Sequence, residues 1–338
     1  MNTKLLTPKT HVVSFSGGRT SAYLVHLMEQ KRKAENIKVE YVFMDTGAEH
    51  PKTYKFIKKC VEYFDIKLTC LQADFNQAVG KGHTYKIVNV NNLKQDLVNG
   101  PYAQLVKKYG VPTVKSAWCT SRMKEETHDK YCADKYPNND FITLIGMRAD
   151  EPKRYFGKSA FGKIKAHPYD WREFHKIFLG QSDLWIAPNA KEVLALRKQA
   201  LEESNIKYLC EYSDFSKSDV NDFWSEMPFD LEIEDHLGNC VFCIKKSIGK
   251  IALAQRDDPE IESQFNQMIK NGSGRLNAGE IKKGVMYNGY HSLESIKIVY
   301  QGSTRDEIKN SLRSMKDNSS CSESCEAFGQ IDLLRSAA

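Results

Sequence analysis

Apolar and polar positions change rhythm twice along this chain. In the first half, short apolar runs rich in β-formers alternate with longer stretches of helical spacing. "HVVSFS" reads as a strand and "RTSAYLVHLMEQKRKA" as a helix with apolar residues on one side. "IKVEYVFMDTG" predicts the next strand, ending in a turn. "HPKTYKFIKKCVEYFD" predicts the next helix, with Pro51 suited to its first turn. "IKLTCLQAD" and the later "DFITLIGMRADE" predict two more strands. Strands alternating with helices imply a parallel sheet covered on both faces, with ligands at the carboxyl ends of the strands. From about residue 170 the strand signal fades. "SDLWIAPNAKEVLALRKQALEES", "SKSDVNDFWSEM" and "DDPEIESQFNQMIKN" read as helices. The expected division is an α/β nucleotide-binding domain over 8–175 and a mostly helical region over 176–338, ending in a polar tail.

Composition narrows the class. The 338 residues suffice for one large domain or two moderate ones. No apolar run approaches the roughly 20 residues that cross a membrane, and the first residues lack a signal-peptide core. The expected setting is the cytoplasm of a bacterium-like cell or a virus infecting one, with no membrane partner. A net charge of +6 permits nucleic-acid binding without demanding it. Nine cysteines is a high count for a reducing compartment and points to metal, cluster or redox chemistry. Cys60, Cys70, Cys132 and Cys210 have apolar or helical neighbours and read as packing residues. The informative thiols are Cys119, Cys240, Cys243, Cys321 and Cys325.

The turn between the first strand and helix carries the first chemistry. Ser14, Ser16, Gly17, Gly18, Arg19, Thr20 and Ser21 bring two glycines, four hydroxyls and a guanidinium to a helix N-terminus. Such a turn suits a phosphate. Neither a Walker GxxxxGK[ST] nor a GxGxxG pattern is present. A CxxC pair, Cys240 and Cys243, follows a glycine turn. Alone it fits zinc (with His236 able to join), a redox pair or an iron–sulfur cluster.

The loop resembles the SGGxxS signature of the pyrophosphate-loop ATPases, which cleave ATP between the α- and β-phosphates. "FMDTGAEHPKTYKFI" resembles the DTG…P-x-TY-x-F segment of phosphoadenylyl-sulfate (PAPS) reductase relatives. "GMRADEPKRY" resembles their G-x-R-x-x-E-x-x-R segment, and "HPYDW" their HP-x-x-W segment. The resemblance implies an adenine nucleotide alpha-hydrolase-like (HUP) fold binding ATP and Mg²⁺. It places the nucleotide phosphates on residues 14–21, with Asp45, Thr46 and Gly146 nearby. Arg19, Asp45, Arg148 and Arg154 become the catalytic candidates, with Glu151 positioning the last two arginines. Many relatives have SGGxDS; Thr20 stands at that aspartate, which shifts the magnesium question to Asp45.

In such relatives WCT-x-x-x-K and GNC-x-x-C segments supply cluster thiolates. "WCTSRMK" and "GNCVFC" match them. The resemblance therefore implies a [4Fe-4S] cluster on Cys119, Cys240 and Cys243. Its fourth site is either open or closed by Cys321 or, preferably, Cys325. The expected function is an ATP pyrophosphatase and sulfurtransferase acting on nucleic acid, in character like the sulfur-activating component of bacterial DNA phosphorothioation systems. Thiolation of a tRNA base is the next expectation, and a cysteine desulfurase the expected sulfur donor. One alternative is reduction of phosphoadenylyl or adenylyl sulfate, although the tail "SESCEAFGQ" lacks the Glu-Cys-Gly of such reductases. The other is a non-catalytic nucleotide-binding regulatory or defence protein. Residues 81–118 interleave lysines and tyrosines, which suits either nucleic acid or a helical cover over the nucleotide.

Overall fold

The computed structural model describes residues 9–157, 161–162, 171–272 and 285–314. Its centre is a six-stranded sheet in the order β4-β3-β2-β1-β5-β6. The strands are β1 (Thr10–Ser14), β2 (Val39–Asp45), β3 (Leu68–Phe75), β4 (His83–Val88), β5 (Phe141–Ile145) and β6 (Ile206–Tyr208). All neighbours pair in parallel except β3 and β4.

Successive side chains of a strand point to opposite faces, so a strand covered on both sides must be apolar at every position. The middles of β1 and β2 follow this rule, with Thr10, His11 and Glu40 at the half-buried starts and Ser14 and Asp45 at the carboxyl ends. Val13, Phe15, Tyr41 and Phe43 enter one core, while Val12, Val42 and Met44 enter another. The first core is closed by α1 (Arg19–Glu35) and α2 (Pro51–Phe64). Pro51 occupies the first turn of α2, as its sequence predicts, and His50 caps it through Nδ1. The opposite face is closed by α4 (Glu126–Lys135), with α3 (Pro101–Tyr109) preceding it in the chain.

After β5 come α5 (Pro152–Tyr155), α6 (Trp171–Phe178), α7 (Pro188–Ser204) and α8 (Lys217–Ser225). The helices α9 (Ile248–Asp257), α10 (Pro259–Gly272), α11 (Leu293–Val299) and α12 (Arg305–Ser314) complete the described chain. The second half is mostly helical, as its pattern indicated, but the break at 175 does not follow the sheet. β6 extends the sheet beyond β5, and Trp224 of α8 lies in the same core as α1 and α2. A three-residue strand carries too little periodicity to be read from sequence, and Trp224 alone does not announce its partner.

The segment 81–118 is part sheet edge and part helix. Its residues His83–Val88 form the antiparallel edge strand β4. Tyr102 is buried, and Tyr109 lies under the Arg122 guanidinium at 4.4 Å. Neither ring forms an open stacking platform. α3 packs against α10 rather than over the nucleotide loop. No helix among the described residues is long and apolar enough to cross a membrane.

Candidate functional site

β1 lies between β2 and β5, so the chain leaves β1 at the place where the strand order reverses. The crevice at such a switch point is where open α/β sheets bind ligands. Ser14 ends β1, and Gly17 turns the chain with φ +79°. A Cβ at Gly17 would stand 2.8 Å from Thr53 Cγ2 and 2.9 Å from Ile57 Cδ1 of α2. Both the backbone angle and the close approach require glycine there. Gly18 is the N-cap of α1 and supplies no side-chain cap, so the first-turn N–H groups face the crevice. The Ser16 amide donates to Ser21 Oγ at 3.1 Å, and the Ser21 hydroxyl donates to Gly18 O at 3.0 Å. These bonds hold the loop in shape before any ligand arrives.

The loop after β5 closes the crevice from the other side. A Cβ at Gly146 would lie 2.9 Å from Ser21 Cα, so only glycine lets that loop touch the start of α1. Arg148 follows, buried, and its Nη1 donates to Thr20 Oγ1 at 2.9 Å. Thr20, which stands where many relatives have aspartate, is thus the acceptor that docks Arg148 on the phosphate loop. Asp150 takes Arg148 Nε at 2.8 Å. Glu151 accepts the Arg148 backbone N–H at 3.0 Å and pairs with Arg154. The positioning role expected of Glu151 matches this geometry. Of the HP-x-x-W segment only Trp171 lies within the described residues.

Arg19 is placed differently from its sequence expectation. It lines the recess beside Ser16, Gly17 and Gly18. Its guanidinium forms a fork on Asp230, with both bonds at 2.7 Å, and adds Leu231 O at 2.6 Å. The geometry makes it a clamp on the strap 231–239, whose Leu231, Ile233, Glu234, Asp235, Gly238 and Asn239 form the far wall of this recess of about 310 Å³. The partner lies 211 residues away, and no sequence spacing announces it. Thr53, also unassigned from sequence, lines the recess with its buried hydroxyl lacking a hydrogen-bond partner among the described residues. It belongs to the P-x-TY segment, which was the available signal.

Asp45 ends β2 fully buried. Oδ1 accepts the Gly47 amide at 2.9 Å and the Tyr54 hydroxyl at 2.8 Å, and Oδ2 accepts Gln72 Nε2 at 2.6 Å. Burial first, and then Glu49, push its pKa up to about 6. A buried carboxylate whose oxygens anchor a turn has no face open to a magnesium ion. The turn-anchoring role fits this geometry and the metal role does not. Glu49 is the second acid of this turn and was not singled out from sequence. It accepts the Thr46 hydroxyl at 2.8 Å and lies 3.8 Å from Lys124 Nζ.

The turn after β2 also joins the crevice to the cysteines. Val241 N donates to Ala48 O at 3.1 Å, Glu49 bridges Cys240, and Thr46 Oγ1 stands 3.5 Å from Cys240 Sγ. Cys119 begins the helical run whose π turn is Ser121–Glu125, a local widening often found at functional sites. It meets the CxxC loop so that Cys119, Cys240 and Cys243 line one recess of about 350 Å³ with Thr46, Tyr102 and Lys124. Lys246 stitches that loop by donating to His236 O and Val241 O at 2.7 and 2.8 Å.

Among the described residues no group of three or more His, Cys, Asp or Glu meets the geometry for a single metal ion. His236 is turned to Asp257, with Nε2 at 2.7 Å, so it does not complete a zinc set. Three thiols in one recess without imidazole or carboxylate are soft donors of the kind that zinc and iron–sulfur clusters both take. Cys321 and Cys325 lie outside the described residues. The four packing cysteines are all buried, and burial raises their pKa values, to about 12 for Cys70 and Cys132.

Comparison with known proteins agrees with this architecture. A phosphoadenosine phosphosulfate reductase domain matches residues 10–168. The chain is 40% identical over 327 residues to the uncharacterized nin region protein ORF290 of Escherichia phage lambda, covering 96% of this chain and 97% of that one. It is 22% identical over 294 residues to the uncharacterized protein MJ0066 of Methanocaldococcus jannaschii, covering 84% of this chain and 47% of that one. A shorter match, 38% over 71 residues, is to a phosphoadenosine 5′-phosphosulfate reductase of Alteromonas mediterranea, covering 21% of this chain and 27% of that one. No solved structure matches. The chain belongs to the phosphoadenosine phosphosulfate reductase family, with the family domain on residues 10–168 and the CxxC loop beyond it.

Proposed function

We propose that this chain is an ATP pyrophosphatase that adenylates an oxygen of a nucleic-acid substrate and supports sulfur transfer to that position. A DNA backbone phosphate is the favoured acceptor and a tRNA base the next. The observation that carries this reading is adjacency. Thr46 directly follows the strand beside the phosphate loop and also contacts Cys240 Sγ at 3.5 Å.

The substrate oxygen attacks the α-phosphorus, the bond to the bridging oxygen breaks, and pyrophosphate leaves. A sulfur nucleophile, ultimately supplied by a cysteine desulfurase, then displaces AMP. The first-turn amides of α1 hold the phosphates. Arg148, fixed by Thr20 and Asp150, stands beside them to offset developing charge. Magnesium travels with ATP; Glu234 and Asp235 are the carboxylates that line the recess. Cys119, Cys240 and Cys243 would hold a [4Fe-4S] cluster, which when bound supplies iron and sulfide for the sulfur step. Lys52, Lys55 and Lys59, exposed along one side of α2, suit a polyanion approaching this end of the sheet.

The named reductase relative favours a second reading, reduction of an adenylyl sulfate. One set of measurements separates the readings. The protein is purified without oxygen, its iron and acid-labile sulfide are measured, and AMP and pyrophosphate are followed with and without DNA. The proposal expects iron, sulfide, and AMP formation stimulated by DNA, with the iron lost in Cys119→Ser. Zinc without iron or sulfide would refute the cluster. Sulfite formed from adenylyl sulfate without ATP turnover would favour the reductase. Nucleotide binding without turnover would leave a regulatory protein.

A further inference from the structure

The wall built by α5, α6, α7 and β6 carries charged and polar side chains that neither recess uses. Arg197 of α7 is only 1% exposed. Arginine keeps its proton, so this charge is permanently buried. Among the described residues no carboxylate pairs with it. Its hydrogen bond runs from Nη2 to the Tyr208 hydroxyl at a long 3.4 Å. Glu211 feels the guanidinium, but burial is the larger influence and raises its pKa. Its Oε1 is engaged by the Tyr208 amide at 2.8 Å.

The guanidinium lies over the rings of Tyr155 and Tyr208, 5.6 and 5.7 Å from their centroids. Ring faces attract a cation diffusely but accept no N–H in line. Three buried polar atoms here have no hydrogen-bond partner among the described residues: Arg197 Nε, Tyr155 OH and His175 Nε2. Tyr155 is the residue they share: its ring packs 4.9 Å from His175 and 5.4 Å from Tyr208, and the guanidinium lies over it. Burial pushes the His175 pKa down to about 4, so at neutral pH its ring is uncharged. Arg197 is then the cluster's cation, and each orphaned atom would gain from a ligand with lone pairs.

We propose that Arg197, Tyr155 and His175 form a buried binding site for one small monovalent inorganic anion, of the size of chloride or nitrate. The guanidinium supplies the charge, and the phenol and imidazole supply neutral hydrogen-bonding groups. The site is separate from the phosphate loop yet mechanically joined to it. Tyr155 follows Arg154 on α5, and Glu151 links that turn to the Arg148 amide. Filling the site therefore braces the turn that presents Arg148, whatever reaction the crevice performs.

The test compares thermal unfolding of the full chain in sodium chloride, bromide, nitrate and gluconate at equal ionic strength. The expected result is a saturable rise of roughly 5 °C in the three small anions over gluconate, at a hundredfold excess over the dissociation constant. Arg197→Met abolishes that rise. A wild-type crystal grown in bromide shows an anomalous peak within hydrogen-bonding distance of Arg197 Nε, a measurement that stands even if Arg197→Met fails to fold. Equal melting in all four salts overturns the proposal. So does an unchanged salt response in Arg197→Met, or a protein side chain filling the position in place of bromide.

Discussion

The contact between Gly146 and α1 offers a sharp test of how the crevice is built. In Gly146→Ala the new Cβ stands 2.9 Å from Ser21 Cα, 3.1 Å from Ser21 N and 3.2 Å from Ser21 Cβ. Two of those atoms are backbone in the first turn of a 17-residue helix, so no flexible side-chain tip can swing away. Carbon atoms in contact prefer about 3.5–4.0 Å, so the loop and helix must part by roughly 0.6 Å or more. Overpacking of this kind costs about 1–3 kcal/mol. The same displacement moves Thr20 relative to Arg148, and misplacement near 1 Å costs on the order of 10²-fold in rate at a catalytic site. The assay is urea unfolding together with nucleotide binding and AMP formation. Gly82→Ala serves as the control, because a Cβ there meets nothing within 4 Å and its φ is not in the left-handed region. The control should stay within about 0.5 kcal/mol of wild type. If Gly146→Ala matches wild type in stability and nucleotide affinity while the control does too, the crevice is not built as described.

Three further outcomes follow from the same geometry. Asp230→Asn weakens the fork on Arg19; with Asp230 38% exposed, the loss is about 1 kcal/mol, read as faster amide exchange across 231–239 and refuted by unchanged protection. His175 makes stability depend on acid: its folded pKa is depressed to about 4 from 6.5, so its contribution is full above about pH 6.5 and lost as pH falls toward 4. That amounts to about 3 kcal/mol, and His175→Phe should flatten this part of the stability–pH curve relative to wild type. Lys246→Met strips donors from the carbonyls of His236 and Val241 and should cost about 1–3 kcal/mol. With the proposed cluster on Cys240 and Cys243, its marker is a greater loss of iron than of nucleotide binding.

Much of the fold was legible because its signals are local. A strand buried on both faces must be apolar throughout, and Val12, Val13, Val42 and Phe43 report that without knowing their neighbours. Gly17 and Gly18 between such a strand and a helix announce an anion-binding turn, and Pro51 announces the start of α2. The CxxC pair announces itself by spacing. These features depend on backbone geometry and burial within a few residues, which amino-acid identity alone determines.

Tertiary structure decided what each polar group faces. Arg19 and Arg148 look alike in sequence as phosphate ligands. Folding places one on Asp230 and docks the other on Thr20. Asp45 has the residue type of a magnesium ligand, but the Tyr54 hydroxyl, the Gln72 amide and the Gly47 N–H make it the anchor of a turn. Tyr102 belongs to a lysine–tyrosine run that suits nucleic acid on paper, and it is core. Cys119 and Cys243 share a recess only because the turn after β2 receives the CxxC loop. Partners from distant segments leave no periodicity in the chain. A charged side chain can satisfy its hydrogen bonds in several ways, and only the assembled packing selects one.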